Sequence, residues 1–151
     1  MLTVTTIQDY MRNLQYINLP KVPDVVVERY LAQLDSVEAK YTNGGYTWSD
    51  SNNKLLNKWC QQNICADMYW GVQLMSSDLP IHIDDGTTIK FVYLLQTGGE
   101  NVRTHFHTGD QITETYIIPN QTWHILRVNT EHSVEGIAKD SKRISITGKI
   151  F

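Results

Sequence analysis

Nowhere in these 151 residues do the 13 lysines and arginines gather into a run that could follow a phosphate backbone, and the net charge is −3. Nucleic acid is therefore a poor candidate partner. No apolar stretch approaches the ~20 residues of a membrane helix, so a helical membrane span is not expected. The opening, MLTVTTIQDYMRNLQY, lacks the basic-then-apolar layout of a secretory signal, and a cytoplasmic setting is expected. Cysteine is scarce. Cys60 and Cys65 stand five apart, which is neither a C-x-x-C redox pair nor half of a four-thiol zinc site, so both read as reduced, partly buried thiols. Internal repeats and low-complexity segments are also missing. A chain of this length fits one domain, 1–151, burying roughly 70% of the surface that it exposes when unfolded.

What is present is ordinary soluble composition, 41% hydrophobic and 19% charged, with two periodicities. The first third, about 1–67, reads as helical support. Pro23 and Asp24 open a helix on which Val27, Tyr30, Leu31 and Leu34 recur at three- and four-residue spacing. YTNGGYTWSDSNN reads as a loop, and Ser51 or a neighbouring Asp or Asn caps a second helix with Leu55, Leu56, Trp59 and Cys60 on one side. From about residue 68 the period shortens to that of β-strands: MYWGVQLM, TIKFVYLLQ, NVRTHFH, TETYIIP, WHILRV, HSVEGI and RISITGKIF, separated by turn signals such as SSDLP, DDG, TGGE and TGD. That spacing suits an antiparallel sandwich or barrel over 68–151. Trp59, Trp70 and Trp123 are expected as core and pocket lining.

Three residues in the β-rich half carry the chemistry of a metal site. His82 and Asp84 lie two apart in LPIHIDDG, and residues i and i+2 of an extended chain project to one face. Alone, His-x-Asp is as well read as a capped turn before a strand. His132 lies 48 residues beyond Asp84, room enough for hairpins to bring another strand alongside. Two neutral imidazoles and one carboxylate on one side of an ion make the facial triad of non-haem Fe(II) oxygenases, which leaves three positions open. Arg143 follows His132 by 11 residues, placed to make a bidentate pair with a carboxylate, and Ser145 shares its face.

Together HID, EHSVEG and RIS resemble the Fe(II)- and 2-oxoglutarate-dependent dioxygenases over about residues 68–151. The wording VNTEHSVEG…RISITGKIF is similar to the aspartyl/asparaginyl β-hydroxylase-like and small prolyl-hydroxylase-like branches, and YLLQTGGENVRTHF resembles their Gly-Gly-Glu hairpin. The resemblance implies a mainly β fold, a double-stranded β-helix (a cupin-like jelly roll) with the N-terminal helices packed on one sheet. It implies Fe(II) at His82, Asp84 and His132, and 2-oxoglutarate held by Arg143 and Ser145, with Tyr93 as a further cosubstrate contact. The activity implied is hydroxylation of a peptide side chain or a small molecule, with O2 as cosubstrate, succinate and CO2 as coproducts, and ascorbate supporting turnover. In such a barrel Arg143, Ser145 and Thr147 line the pocket while Ile144 and Ile146 pack against the helices.

Two rivals stand beside this reading. His105-x-His107 and His124 resemble the two metal motifs of cupins, although His107 and His124 are only 17 residues apart, which leaves little room for the usual intervening strands. A barrel that binds a partner without chemistry is the other, and it has no need of the complete set of ligands and the arginine.

Overall fold

The computed structural model describes residues 12–34, 41–43, 47–50 and 54–150. Its two helices are α1 (Asp24–Gln33) and α2 (Lys54–Asn63). Pro23 precedes α1, and its carbonyl accepts from Val26 and Val27 as the first turn forms. Val27 and Tyr30 are the buried face of α1; on α2 it is Leu56 and Cys60, one turn apart. Leu55, expected on that face, is 44% exposed because it lies a quarter-turn away from Leu56. The proposed cap at Ser51 lies outside the described residues.

Eleven strands lie among the described residues: β1 (Leu14–Tyr16), β2 (Tyr41–Asn43), β3 (Thr47–Asp50), β4 (Tyr69–Met75), β5 (Leu79–His82) and β6 (Ile89–Gln96) come first. Then come β7 (Arg103–Thr108), β8 (Gln111–Tyr116), β9 (Trp123–Arg127), β10 (His132–Glu135) and β11 (Arg143–Lys149). The helical reading of 1–67 is thus incomplete, since β1, β2 and β3 also lie there, β2 and β3 within the expected loop. Strands of three or four residues are too short to show a period.

Two antiparallel sheets result, β1-β9-β6-β11-β4-β3-β2 and β5-β10-β7-β8. Among the described residues the protein is mainly β with two helices, and the arrangement is jelly-roll-like. From β4 onward the chain crosses from the larger sheet to the smaller and back, leaving consecutive strands in one sheet only at the β7–β8 hairpin. The sheets face each other through Leu94, Phe106 and Ile118 in one cluster and Met75, Val102 and Val134 in another.

The other face of the larger sheet carries the helices. Trp70, Val72, Leu74, Tyr93, Leu95, Trp123, Ile144 and Ile146 form one core with Val27, Tyr30, Leu56 and Cys60. Trp70 and Trp123 meet edge to face, and each is pinned by its indole N–H, to the carbonyls of Cys65 and Pro20. Gly148, opposite Trp70, leaves room for that ring: a Cβ there would sit 2.5 Å from Trp70 Cζ3. Full burial of each isoleucine contributes roughly 1.5–3 kcal/mol. No helix among the described residues is long and apolar enough to cross a membrane.

Candidate metal centre

Antiparallel pairing brings the two histidines together. His82 ends β5, His132 begins β10, and they are register partners with ring centroids 4.2 Å apart. Opposite residues on neighbouring strands share a face. Asp84 follows after β5 has ended, and its backbone N–H donates to the Val128 carbonyl at 2.8 Å. That bond turns the carboxylate back: Asp84 Oδ1 lies 3.1 Å from His82 Nε2 and 3.5 Å from His132 Nε2.

Both imidazoles are oriented from behind. His82 Nδ1 lies 2.8 Å from the Pro80 carbonyl, and His132 Nδ1 lies 2.8 Å from the Thr130 carbonyl. A carbonyl only accepts, so each Nδ1 carries the proton and, in the neutral ring, Nε2 keeps its lone pair. Nδ1–H bonding of this kind is the outer support that metal-bound histidines have. The three donor atoms lie within 4.8 Å of one another. Two donors at right angles, each about 2.1 Å from an ion, stand ~3 Å apart, so the set fits one cation.

Electrostatics keep the Asp84 carboxylate ionised for that use, while in the ion-free site they favour a proton on His82 that a cation would displace. Burial alone would raise the Asp84 pKa, but hydrogen bonds from His132 and His82 and the Lys90 ammonium hold it far below the usual carboxylate range. Burial works against protonation of His82, yet the bonds to Asp84 and the Pro80 carbonyl raise its pKa overall. Lys90, 9% exposed, forms an ion pair with Asp84 Oδ2 and leaves Oδ1 to face the imidazoles. Lys90 was not anticipated. Its signal was parity, since it shares a strand face with Val92 and Leu94.

The triad stands in a pocket between the sheets, about 530 Å³ of space partly open to solvent, also lined by Lys90, His124, Arg143, Ser145 and Thr147. Arg143 is 5% exposed and donates from Nη1 to the Thr97 carbonyl at 3.0 Å. Burial pushes its pKa down to about 10. Among the described residues no carboxylate forms an ion pair with it. Gly98, at φ +87°, brings the chain so near that a Cβ would sit 3.1 Å from Arg143 Cβ, which confines the stem. The arrangement can hold a cation at one place and an anionic group at another.

Two expectations are corrected by strand parity. Tyr93 does not reach the pocket: it lies between Val92 and Leu94, which do, so it projects into the helix-side core, fully buried, 4.8 Å from Trp123. The cupin set is not assembled either. On β7 the pocket side belongs to Thr104 and Phe106, and His105 and His107 project from the opposite face. There His105 bonds Thr115 and Glu135, and His107 bonds Ser133. His124 alone of the three turns inward.

No protein-family model and no curated protein matches the sequence. Solved structures do match. A prolyl-4-hydroxylase from Pseudomonas putida superposes with a TM-score of 0.56 at 10% identity, covering 91% of this chain and 92% of that one. The alpha ketoglutarate dependent epimerase SnoN, from nogalamycin biosynthesis, gives 0.52 at 15% identity over 91% and 77%. The non-heme monooxygenase ThoJ, in a nickel complex, gives 0.52 at 13% identity over 91% and 72%. At such identities the likeness is one of fold.

Proposed function

We propose that this chain is an Fe(II)- and 2-oxoglutarate-dependent oxygenase that hydroxylates a peptide side chain or a small molecule, built as a single double-stranded β-helix domain. One observation carries the reading: His82, Asp84 and His132 converge within a pocket that also holds a buried guanidinium with no acidic partner among the described residues. The alternation of strands between the sheets supports the β-helix, and the folds of the neighbouring structures are compatible with it.

Bound at the triad, Fe(II) supplies O2 activation coupled to decarboxylation of 2-oxoglutarate, giving succinate, CO2 and a hydroxylated product. The chain's own residues have simpler tasks. Two imidazoles and one carboxylate oxygen would hold the ion from one side. Lys90 occupies the second oxygen of Asp84, so the carboxylate presents one atom. Arg143 supplies the cation for the far carboxylate of the cosubstrate, and Ser145, on the same strand face, offers a hydroxyl beside it. The aliphatic part of the pocket, Val92, Leu94 and Val134 among others, excludes water from the remainder.

Anaerobic titration with Fe(II) and 2-oxoglutarate tests this through the metal-to-ligand absorption band, followed by succinate release in air against amino acids and peptides. Binding without succinate above an Asp84→Ala control would leave a binding module in place of an enzyme. Undiminished Fe(II) binding in His82→Ala, Asp84→Ala and His132→Ala alike would remove the site.

A further inference from the structure

His124 is the pocket residue that the proposed chemistry leaves unused. It stands on β9 with no exposed surface, and its Nδ1 lies 3.1 Å from the Thr122 carbonyl. Nδ1 therefore carries a proton, and in the neutral ring Nε2 is an acceptor. That Nε2 is buried and has no hydrogen-bond partner. Orphaned buried polar atoms are few in folded proteins, and one that lines a cavity points to what the cavity holds. Across the sheet His124 is opposite Val92, which is opposite Thr147, so β6 alone separates its strand from β11, whose Thr147 shares a face with Ser145 and Arg143.

We propose that His124 is a proton-gated anchor for the cosubstrate: as the dicarboxylate enters, the imidazole takes one proton from solvent and its Nε2–H donates to the carboxylate that Arg143 holds. The inference rests on the reading above and deepens it. A lone-pair acceptor can be satisfied by a ligand donor, or it can become a donor by protonation. The neighbour decides between them, since an anion drawn to Arg143 brings oxygen acceptors and no hydrogens. In the ligand-free pocket burial, aided by the Arg143 charge and opposed by the Thr122 carbonyl, pushes the His124 pKa down to about 4. A bound carboxylate offsets that charge and supplies the acceptor, so the imidazolium belongs to the complex.

Other groups around His124 are accounted for. Tyr16 on β1 meets its ring edge at 6.3 Å, Lys90 on β6 is paired with Asp84, and Glu114 and Tyr116 on β8 bond each other. Lys149, on the same face of β11 as Arg143, has its pKa lowered by burial and by Lys90. With a metal held, His82, Asp84 and His132 are its ligands and not free to exchange protons.

The test is calorimetry of the oxygen-free, Fe(II)-loaded protein titrated with 2-oxoglutarate near neutral pH, in buffers of low and high ionisation enthalpy. About one proton should be taken up per ligand bound, and Kd should weaken about tenfold per pH unit between the low pKa of the ligand-free imidazole and its higher pKa in the complex, levelling off above the latter. His124→Gln, which keeps an N–H but cannot titrate, should bind with no uptake and a flat pH profile. Nitrogen-15 histidine spectra of the Zn(II)-loaded wild type read the same event without a variant, as one imidazole becoming doubly protonated on ligand addition. Binding without proton uptake in the wild type, or equal uptake in His124→Gln, overturns the role of His124 and leaves the oxygenase reading standing. No 2-oxoglutarate binding at any pH by protein that holds Fe(II) overturns that reading, and this inference with it.

Discussion

Replacing Arg143 by methionine should leave the ligand-free fold as stable as the wild type, or more so, while removing its affinity for a dicarboxylate. The guanidinium is 5% exposed, and burial has lowered its pKa from the ordinary 12.5 to about 10. At about 1.36 kcal/mol per pKa unit, keeping it charged at neutral pH costs on the order of 3 kcal/mol. Its hydrogen bond to the Thr97 carbonyl offsets roughly 1.5–3 kcal/mol of that. Methionine keeps the aliphatic stem against Gly98, so urea unfolding at neutral pH should show a change between zero and a gain of about 1 kcal/mol. The sign follows from linkage: a base with a lowered folded pKa penalises the fold below pH 10, and the penalty fades as pH rises from 10 toward 12.5. Ligand binding should move the other way, weakening by about 10- to 150-fold for a loss of roughly 1.5–3 kcal/mol, with Fe(II) affinity unchanged. A variant destabilised by more than ~2 kcal/mol that still binds 2-oxoglutarate normally would show that Arg143 is structural.

Gly148→Ala drives a methyl into the Trp70 ring, which its bond to the Cys65 carbonyl keeps from sliding; urea unfolding should show a loss of roughly 1–3 kcal/mol. Burial pushes the Cys60 thiol up to about 12, so a thiol reagent at mildly alkaline pH should titrate one cysteine in the native protein and two in urea. The same raised pKa makes stability fall as pH climbs from 9 toward 12. Tyr93→Phe should leave anaerobic 2-oxoglutarate affinity unchanged, because the ring lies on the helix side of the sheet; a tenfold loss would contradict that placement.

The convergence of His82, Asp84 and His132 was legible because the donor set is written in residue types and the placing of the first two in a two-residue spacing. What spacing could not reveal was where each strand begins. A strand's phase decides which side chains enter the pocket, and Tyr93 missed by one residue. Lys90 was legible by the same rule, once Val92 and Leu94 are known to face inward. The strand β5 was hidden because Leu79 and Pro80 read as the end of a turn; as an edge strand beside β10 it tolerates the proline. His105 and His107 look like ligands in sequence because period-two spacing marks a shared face without saying which face.

On β11 all of Arg143 through Gly148 are buried, although polar and apolar residues alternate. The strand is covered on both sides, by the helices over Ile144 and Ile146 and by the pocket over Arg143, Ser145 and Thr147. A slip of one residue would exchange the two sets, placing a guanidinium in the helix core and isoleucines in the pocket. The two isoleucines together resist that slip by several kcal/mol of burial, before the desolvation of a misplaced charge is added. The register shift between Ile144 and Ser145 against β6 falls beside Arg143, at the start of the strand. The helix layer, which carries none of the triad, is thus what fixes the register on which the pocket depends.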